Sequence, residues 1–113
     1  LAPKEPQILA GLGRAQNAAG NYKSALKTLK SAYAKDPRDG RMLRELAVAY
    51  AKNKQGGWAS VVTAERYALR GNFKLAATHA KRAQGLLPSG STGWLKAEDI
   101  LGYARKLATK KKR

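Results

Sequence analysis

An all-α fold, built as a stack of antiparallel helical hairpins, is what this sequence predicts, and three observations carry that expectation. Ala and Leu dominate an apolar fraction of 43%, while β-branched residues are few, a balance that favours helix. Apolar residues recur at helical spacing, most plainly along Trp94, Leu95, Ala97, Ile100, Leu101, Ala104 and Leu107, which makes one stripe of an amphipathic helix. A pattern of glycine, asparagine, an aromatic, three apolar positions and a closing proline occurs twice, and internal repetition is the mark of stacked helical units.

The first copy of that pattern reads Leu12-Gly13, Gly20-Asn21-Tyr22, Ala25, Leu29, Ala32 and Asp36-Pro37. The second reads Tyr67, Gly71-Asn72-Phe73, Ala76, Ala80, Ala83 and Pro88. Each residue type has a physical reason. Gly20 and Gly71 can take the positive φ that closes a helix. Asn21 and Asn72 suit the N-cap of the next helix. Small Ala25, Ala32, Ala76 and Ala83 let neighbouring backbones approach, Tyr22 and Phe73 fill the wedge between paired helices, and Pro37 and Pro88 stop helices. Six helices are predicted, over about 6–19, 22–35, 39–53, 58–70, 73–87 and 93–109. Ser91 or Thr92 is the candidate N-cap of the last one, with Trp94 packed on the fifth.

This pattern resembles the tetratricopeptide (TPR) repeat family over nearly the whole chain. The resemblance implies a right-handed α-α superhelix of about six antiparallel helices with a C-terminal capping helix, in a single domain over 1–113. Residues 5–39 form the first repeat, 40–70 a degenerate second one with Gly56-Gly57 in its turn, 71–109 the last helix and its cap, and 110–113 a basic, frayed tail. Leu9 and Gln16 stand where the family has Trp and Tyr. The offset from Gly20 to Gly71 is 51 residues, one and a half times the ~34-residue repeat, as if the register slipped by one helix.

Length and charge bound the rest. A chain of 113 residues is one domain with a small continuous core. No apolar run approaches the ~20 residues of a membrane span. Leu1-Ala2-Pro3-Lys4 lacks the start of a signal peptide, and the absence of an initiator Met marks an expected processed product or piece of a longer protein. With no Cys, disulfides, thiol catalysis and Cys-based zinc sites are excluded. The net charge of +16 favours acidic partners: nucleic acid, an anionic membrane or an acidic protein surface.

By the TPR resemblance, the first helix of each pair lines an inner groove. That carries groove positions to Gln7, Arg14 and Asn17, then to Arg41, Arg44, Glu45, Val48 and Lys52. A fourth helix in the same role adds Trp58, Val61, Val62, Glu65 and Leu69. This mixture suits an extended or helical peptide of acidic character, against the plain alternative of surface or inter-helix packing. A carboxylate clamp is not expected, because Ala10 and Arg14 occupy two of its positions. Lys23, Lys27 and Lys30 share a face of the second helix, and Lys74, Lys81 and Arg82 sit at similar positions on the fifth. They read as a solvated convex face, or as a stripe binding nucleic acid or anionic lipid, although few aromatics lie near them to stack on bases.

Catalytic chemistry finds little footing. His79 is the single His and has no ligand partner at helical spacing; Glu98 and Asp99 are adjacent and point apart. Ser89-Gly90-Ser91-Thr92-Gly93 lacks the ending of a phosphate loop, and Gly11-Leu12-Gly13 reads as helix packing. No cofactor is expected, and an enzyme is the class least supported.

Three segments carry a narrower resemblance: Ala64–Phe73, His79–Gln84 and Gly90–Ile100. Together they resemble the C-terminal TPR tail of bacterial BepA/YfgC-like zinc metallopeptidases. That family joins a periplasmic or membrane-associated HExxH protease to a tail that docks on outer-membrane assembly machinery. This chain contains no HExxH. The resemblance implies a non-catalytic module binding partner or client polypeptides, placed in the periplasm or at a membrane. The alternatives are a basic binder of nucleic acid or lipid, and a stand-alone, otherwise cytoplasmic scaffold that weakly self-associates.

Overall fold

The computed structural model describes residues 5–111 and folds there into six α-helices without a strand. They are α1 (Pro6–Ala18), α2 (Tyr22–Lys35), α3 (Gly40–Lys52), α4 (Gly56–Leu69), α5 (Phe73–Leu86) and α6 (Thr92–Lys111). Each packs on the next, and α1 also packs on α3 and α4 on α6. The result is a TPR-like α-α superhelix, elongated at 51 × 26 × 21 Å.

Two kinds of connection build this stack. After α1, α3 and α4 the chain turns in a Schellman motif, whose paired backbone bonds satisfy the last carbonyls of a helix around one left-handed residue. Asn21, Gln55 and Asn72 donate their backbone N–H to the carbonyls of Gln16, Tyr50 and Tyr67 at 2.8, 2.9 and 2.9 Å. The left-handed residues are Gly20 (φ 82°), Lys54 (φ 62°) and Gly71 (φ 78°). After α2 and α5 the chain leaves instead through Pro37 and Pro88 in extended backbone.

The Gly56-Gly57 turn expected from the sequence is therefore displaced. Lys54 makes the turn, and both glycines lie in the first turn of α4. Gly57 is needed there for space: a Cβ on it would stand 2.6 Å from the Leu87 side chain.

Turn order also sets the register. Two Schellman turns in succession flank α4, so α4 begins a second group of helices as α1 begins the first. The two copies of the sequence pattern consequently lie on α2 and α5. Each group has its own core. Leu29, Met42, Leu43, Leu46 and Val62 anchor the first; Val61, Ala64, Ala80, Ala83, Ala97 and Leu101 form the second. Neighbouring Val61 and Val62 thus face opposite cores, and Trp58 packs against both.

The small residues behave as expected: Ala25, Ala32, Ala76 and Ala83 are fully buried. Gly13 serves the same end, since a Cβ there would come within 2.4 Å of Leu29. The second group resolves the same crossing with Ala64 and Ala80, both without exposure.

Capping departs from the sequence reading in places. Asn72 does cap α5, accepting from the Leu75 N–H at 3.2 Å, but Asn21 makes no side-chain cap bond. The strongest cap is Asp39, whose Oδ1 accepts from the N–H groups of Arg41 and Met42. At α6 it is Ser91 whose Oγ accepts from Trp94 N–H, at 3.4 Å. Helix α6 runs to Lys111, so Lys110 and Lys111 belong to it rather than to a frayed tail; Lys112 and Arg113 lie outside the described residues. Its inner stripe is Gly93, Ala97 and Leu101; Leu95, expected in the stripe, is 50% exposed because it sits on the opposite side.

Candidate functional site

The groove residues inferred from the sequence divide into an internal set and an exposed set. Asn17 is buried near the end of α1, where its Nδ2 donates to the backbone carbonyl and to Oε1 of Glu45 on α3, both at 3.0 Å. The neighbouring helix thus satisfies the buried NH2 group in place of solvent, while the Asn17 Oδ1 is buried without a partner. Asn17 and Glu45 therefore pin α1 to α3.

Glu65 is likewise turned inward. The Tyr33 hydroxyl of α2 donates to both of its carboxylate oxygens at 2.9 Å. Lys96 of α6 approaches from the other side, its Nζ donating to the Tyr33 hydroxyl oxygen at 3.3 Å and standing 5.6 Å from the ring centroid. Burial raises the Glu65 pKa, while the Tyr33 bond and the Lys96 charge pull it back part of the way. Burial, reinforced by the Glu65 charge, pushes the Tyr33 pKa up, and the same two causes raise Tyr50. Tyr33 consequently keeps its proton and stays a donor. The cluster ties helices of both groups together across the waist of the molecule. The sequence offered no cue to it, since its three members lie on α2, α4 and α6 with no shared spacing.

Helix α4 turns most of its expected groove positions inward, although Glu65 and Leu69 line a cavity of about 390 Å³ with Tyr33, Leu43 and Lys96. Val61 and Val62 are fully buried, Trp58 stacks on Tyr50 with centroids 5.8 Å apart, and Leu69 packs against the first core. The expectation that α4 lines a groove fails for Trp58, Val61 and Val62, which pack into the two cores. Lys52 also turns aside: its Nζ lies 5.4 Å from the centre of the Tyr22 ring.

Arg14, Arg41, Arg44 and Val48 remain exposed. Arg14 lies one turn before Asn17 on α1, and Arg41 one turn before Glu45 on α3. The Asn17–Glu45 contact therefore sets the two Arg-bearing turns on neighbouring helices. Gln7 is exposed one turn pair further along α1. The single ion pair among the described residues is Arg105–Glu98 at 3.5 Å, so these guanidinium groups have no carboxylate partner among those residues.

The lysine stripes are exposed throughout, at Lys23, Lys27 and Lys30 on α2 and at Lys74, Lys81 and Arg82 on α5. Lys74 and Lys81 differ from the rest in lining a groove between α5 and α6. His79, on the same helix, stacks against Tyr67 with centroids 5.4 Å apart. Among the described residues no three His, Cys, Asp or Glu side chains gather to hold a metal ion, and no helix is long and apolar enough to cross a membrane.

Residues 6–49 match the family model of the tetratricopeptide repeat, a span covering α1, α2 and most of α3. No curated protein matches the chain. Repeats of this kind generally bind proteins or peptides on faces made by successive helices. The match to a tetratricopeptide repeat is thus confined to the N-terminal part of the chain, within an all-helical superhelix that runs on to α6.

Proposed function

We propose that this chain is a non-catalytic interaction module that binds an acidic polypeptide along the exposed edge of α1 and α3. The observation that carries this reading is the set of unpaired guanidinium groups at Arg14, Arg41 and Arg44, beside exposed Val48 and anchored by the Asn17–Glu45 contact. Arginine forks suit carboxylates, which they engage in pairs of parallel hydrogen bonds. The excess of basic residues draws an acidic chain towards the surface and speeds encounter.

The direct test is titration of a fluorescent Glu-rich peptide. The Arg41→Glu/Arg44→Glu variant should bind it at least about tenfold more weakly, since close charge pairs become repulsive, while its far-ultraviolet circular dichroism stays that of the parent. Unchanged affinity would sink the α1–α3 reading.

The same module is proposed to be the docking tail of a BepA/YfgC-like zinc metallopeptidase, acting in the periplasm or at a membrane. This rests on the resemblance of Ala64–Phe73, His79–Gln84 and Gly90–Ile100 to that family. Reading the native gene upstream of Leu1 tests it. An HExxH helix and an export signal there support it; their absence leaves a free adaptor.

A further inference from the structure

We propose that the groove between α5 and α6 docks an amphipathic helix of a partner protein, one with an apolar face flanked on both sides by carboxylates. The groove encloses about 1120 Å³, above the ~300–1,000 Å³ of small-molecule sites and suited to a stretch of polypeptide. Its floor is apolar, formed by Phe73 and Ala77 of α5 with Leu101, Ala104 and Leu107 of α6. Its walls are basic: Arg70, Lys74 and Lys81 on one side, Arg105 and Lys110 on the other, with no acidic residue lining it. Arg105 is partly engaged by Glu98 at 3.5 Å; the other four cations have no carboxylate partner among the described residues.

The first group of helices shows how such a groove is closed when it is not used. Residues of α2 and α5 correspond at the 51-residue offset between Gly20 and Gly71, so Leu26 corresponds to Ala77. The same offset relates α3 to α6, where buried Met42, Leu46 and Tyr50 correspond to buried Gly93, Ala97 and Leu101, so Lys52 corresponds to Tyr103. In the first group Leu26 packs against the core and Lys52 lies over Tyr22, 5.4 Å from its ring. In the second group Tyr103 keeps the equivalent contact, edge-on to Phe73 with centroids 5.0 Å apart, but Ala77 stands in place of Leu26 and leaves the space beside it open. Helix α3 ends at Lys52 and turns back into α4, whereas α6 runs on to Lys111, supplying about two further turns of wall.

Opposed rows of cations over a concave apolar floor fit a rod better than a plane. A helix laid in the groove buries its apolar stripe while acids on its two flanks meet both walls, the helix-in-groove mode of recognition. A flat membrane would reach the rims and leave the floor uncovered.

The inference goes beyond the α1–α3 reading and is independent of it, because its variants lie on α5 and α6. The probe is a fluorescent synthetic helix of about four turns, with Leu along one face and Glu on both flanks, titrated into the full 113-residue chain. Binding should weaken about tenfold or more in Lys74→Glu/Lys81→Glu, as two attractive pairs become repulsive. It should weaken as much in Ala77→Leu/Ala104→Leu, which fills the floor of the groove and leaves the charge unchanged. A scrambled peptide of equal composition should bind more weakly than the probe. Undiminished affinity in the refilled variant, or equal binding of the scrambled peptide, overturns the proposal, because both mean attraction by charge alone. Absence of peptide binding, with sedimentation on phosphatidylserine vesicles that Lys74→Glu/Lys81→Glu abolishes, assigns the groove to a membrane and overturns it as well.

Discussion

Burying the Glu65 carboxylate between two tyrosines disfavours its charged form, and the Tyr33 bond and Lys96 charge only partly offset that cost. Its folded pKa therefore lies above the unfolded value. The stability it contributes is complete below that unfolded value, ordinarily 4.5, and is lost as pH rises through the folded pKa. Glu65→Gln keeps an acceptor for Tyr33 and removes the titration. The expected result is that the wild type loses stability relative to Glu65→Gln as pH rises above the ordinary glutamate value of 4.5. Urea melts of both proteins across that range measure it; a constant difference would mean that Glu65 titrates as it does in the unfolded chain. Residue-level legibility in the sequence was uneven for a related reason. Arg41 and Arg44 stand exposed as their helical positions suggest, whereas Asn17, Glu45 and Glu65 look equally polar in sequence and face inward. Side-chain polarity does not say whether a partner waits on the next helix.

Among the elements, the α3–α4 turn is the one built from an unsuited residue. Lys54 holds φ 62° where Gly20 and Gly71 make the equivalent turns. A left-handed conformation costs a non-glycine residue about 1–2 kcal/mol, against about 0.5–1 kcal/mol of extra chain entropy that a glycine loses on folding. Lys54→Gly is thus expected to stabilise by about 0.5–1 kcal/mol, read from the shift of the urea midpoint. No gain would mean that the Lys54 side chain makes compensating contacts. The sequence concealed this turn because glycine is its usual mark, and the nearest glycines, Gly56 and Gly57, begin α4 instead, with Gly57 serving helix packing.

At the scale of the molecule, a net charge of +16 is spread over a thin body 51 Å long. One ion pair among the described residues does little to neutralise it. Like charges closer than a Debye length, ~10 Å at 0.1 M salt, repel in the folded state more than in the expanded chain. Raising NaCl from about 10 to 300 mM should increase the thermal midpoint by several degrees, as screening relieves this repulsion. A midpoint that falls would point to favourable charge pairing in the native state. The same charge makes acidic partners the natural ones for both proposed surfaces, so their affinities should decline over that salt range while stability climbs.

By itself the sequence determined the helix count, the small residues at the crossings and the positive φ at Gly20 and Gly71, because these follow from local geometry: side-chain period, Cβ size and backbone freedom. It also exposed the register slip, since the doubled pattern is spaced by one and a half repeats. Only the tertiary structure decided what the slip does. It places α4 between two cores, which buries Val61 and Val62 and joins Tyr33, Glu65 and Lys96 across three helices. It leaves Ala77 on the floor of an open groove, at the position where Leu26 packs against the first core. Such outcomes depend on which helices become neighbours, and that is settled by the sum of packing over the whole stack rather than by any window of residues.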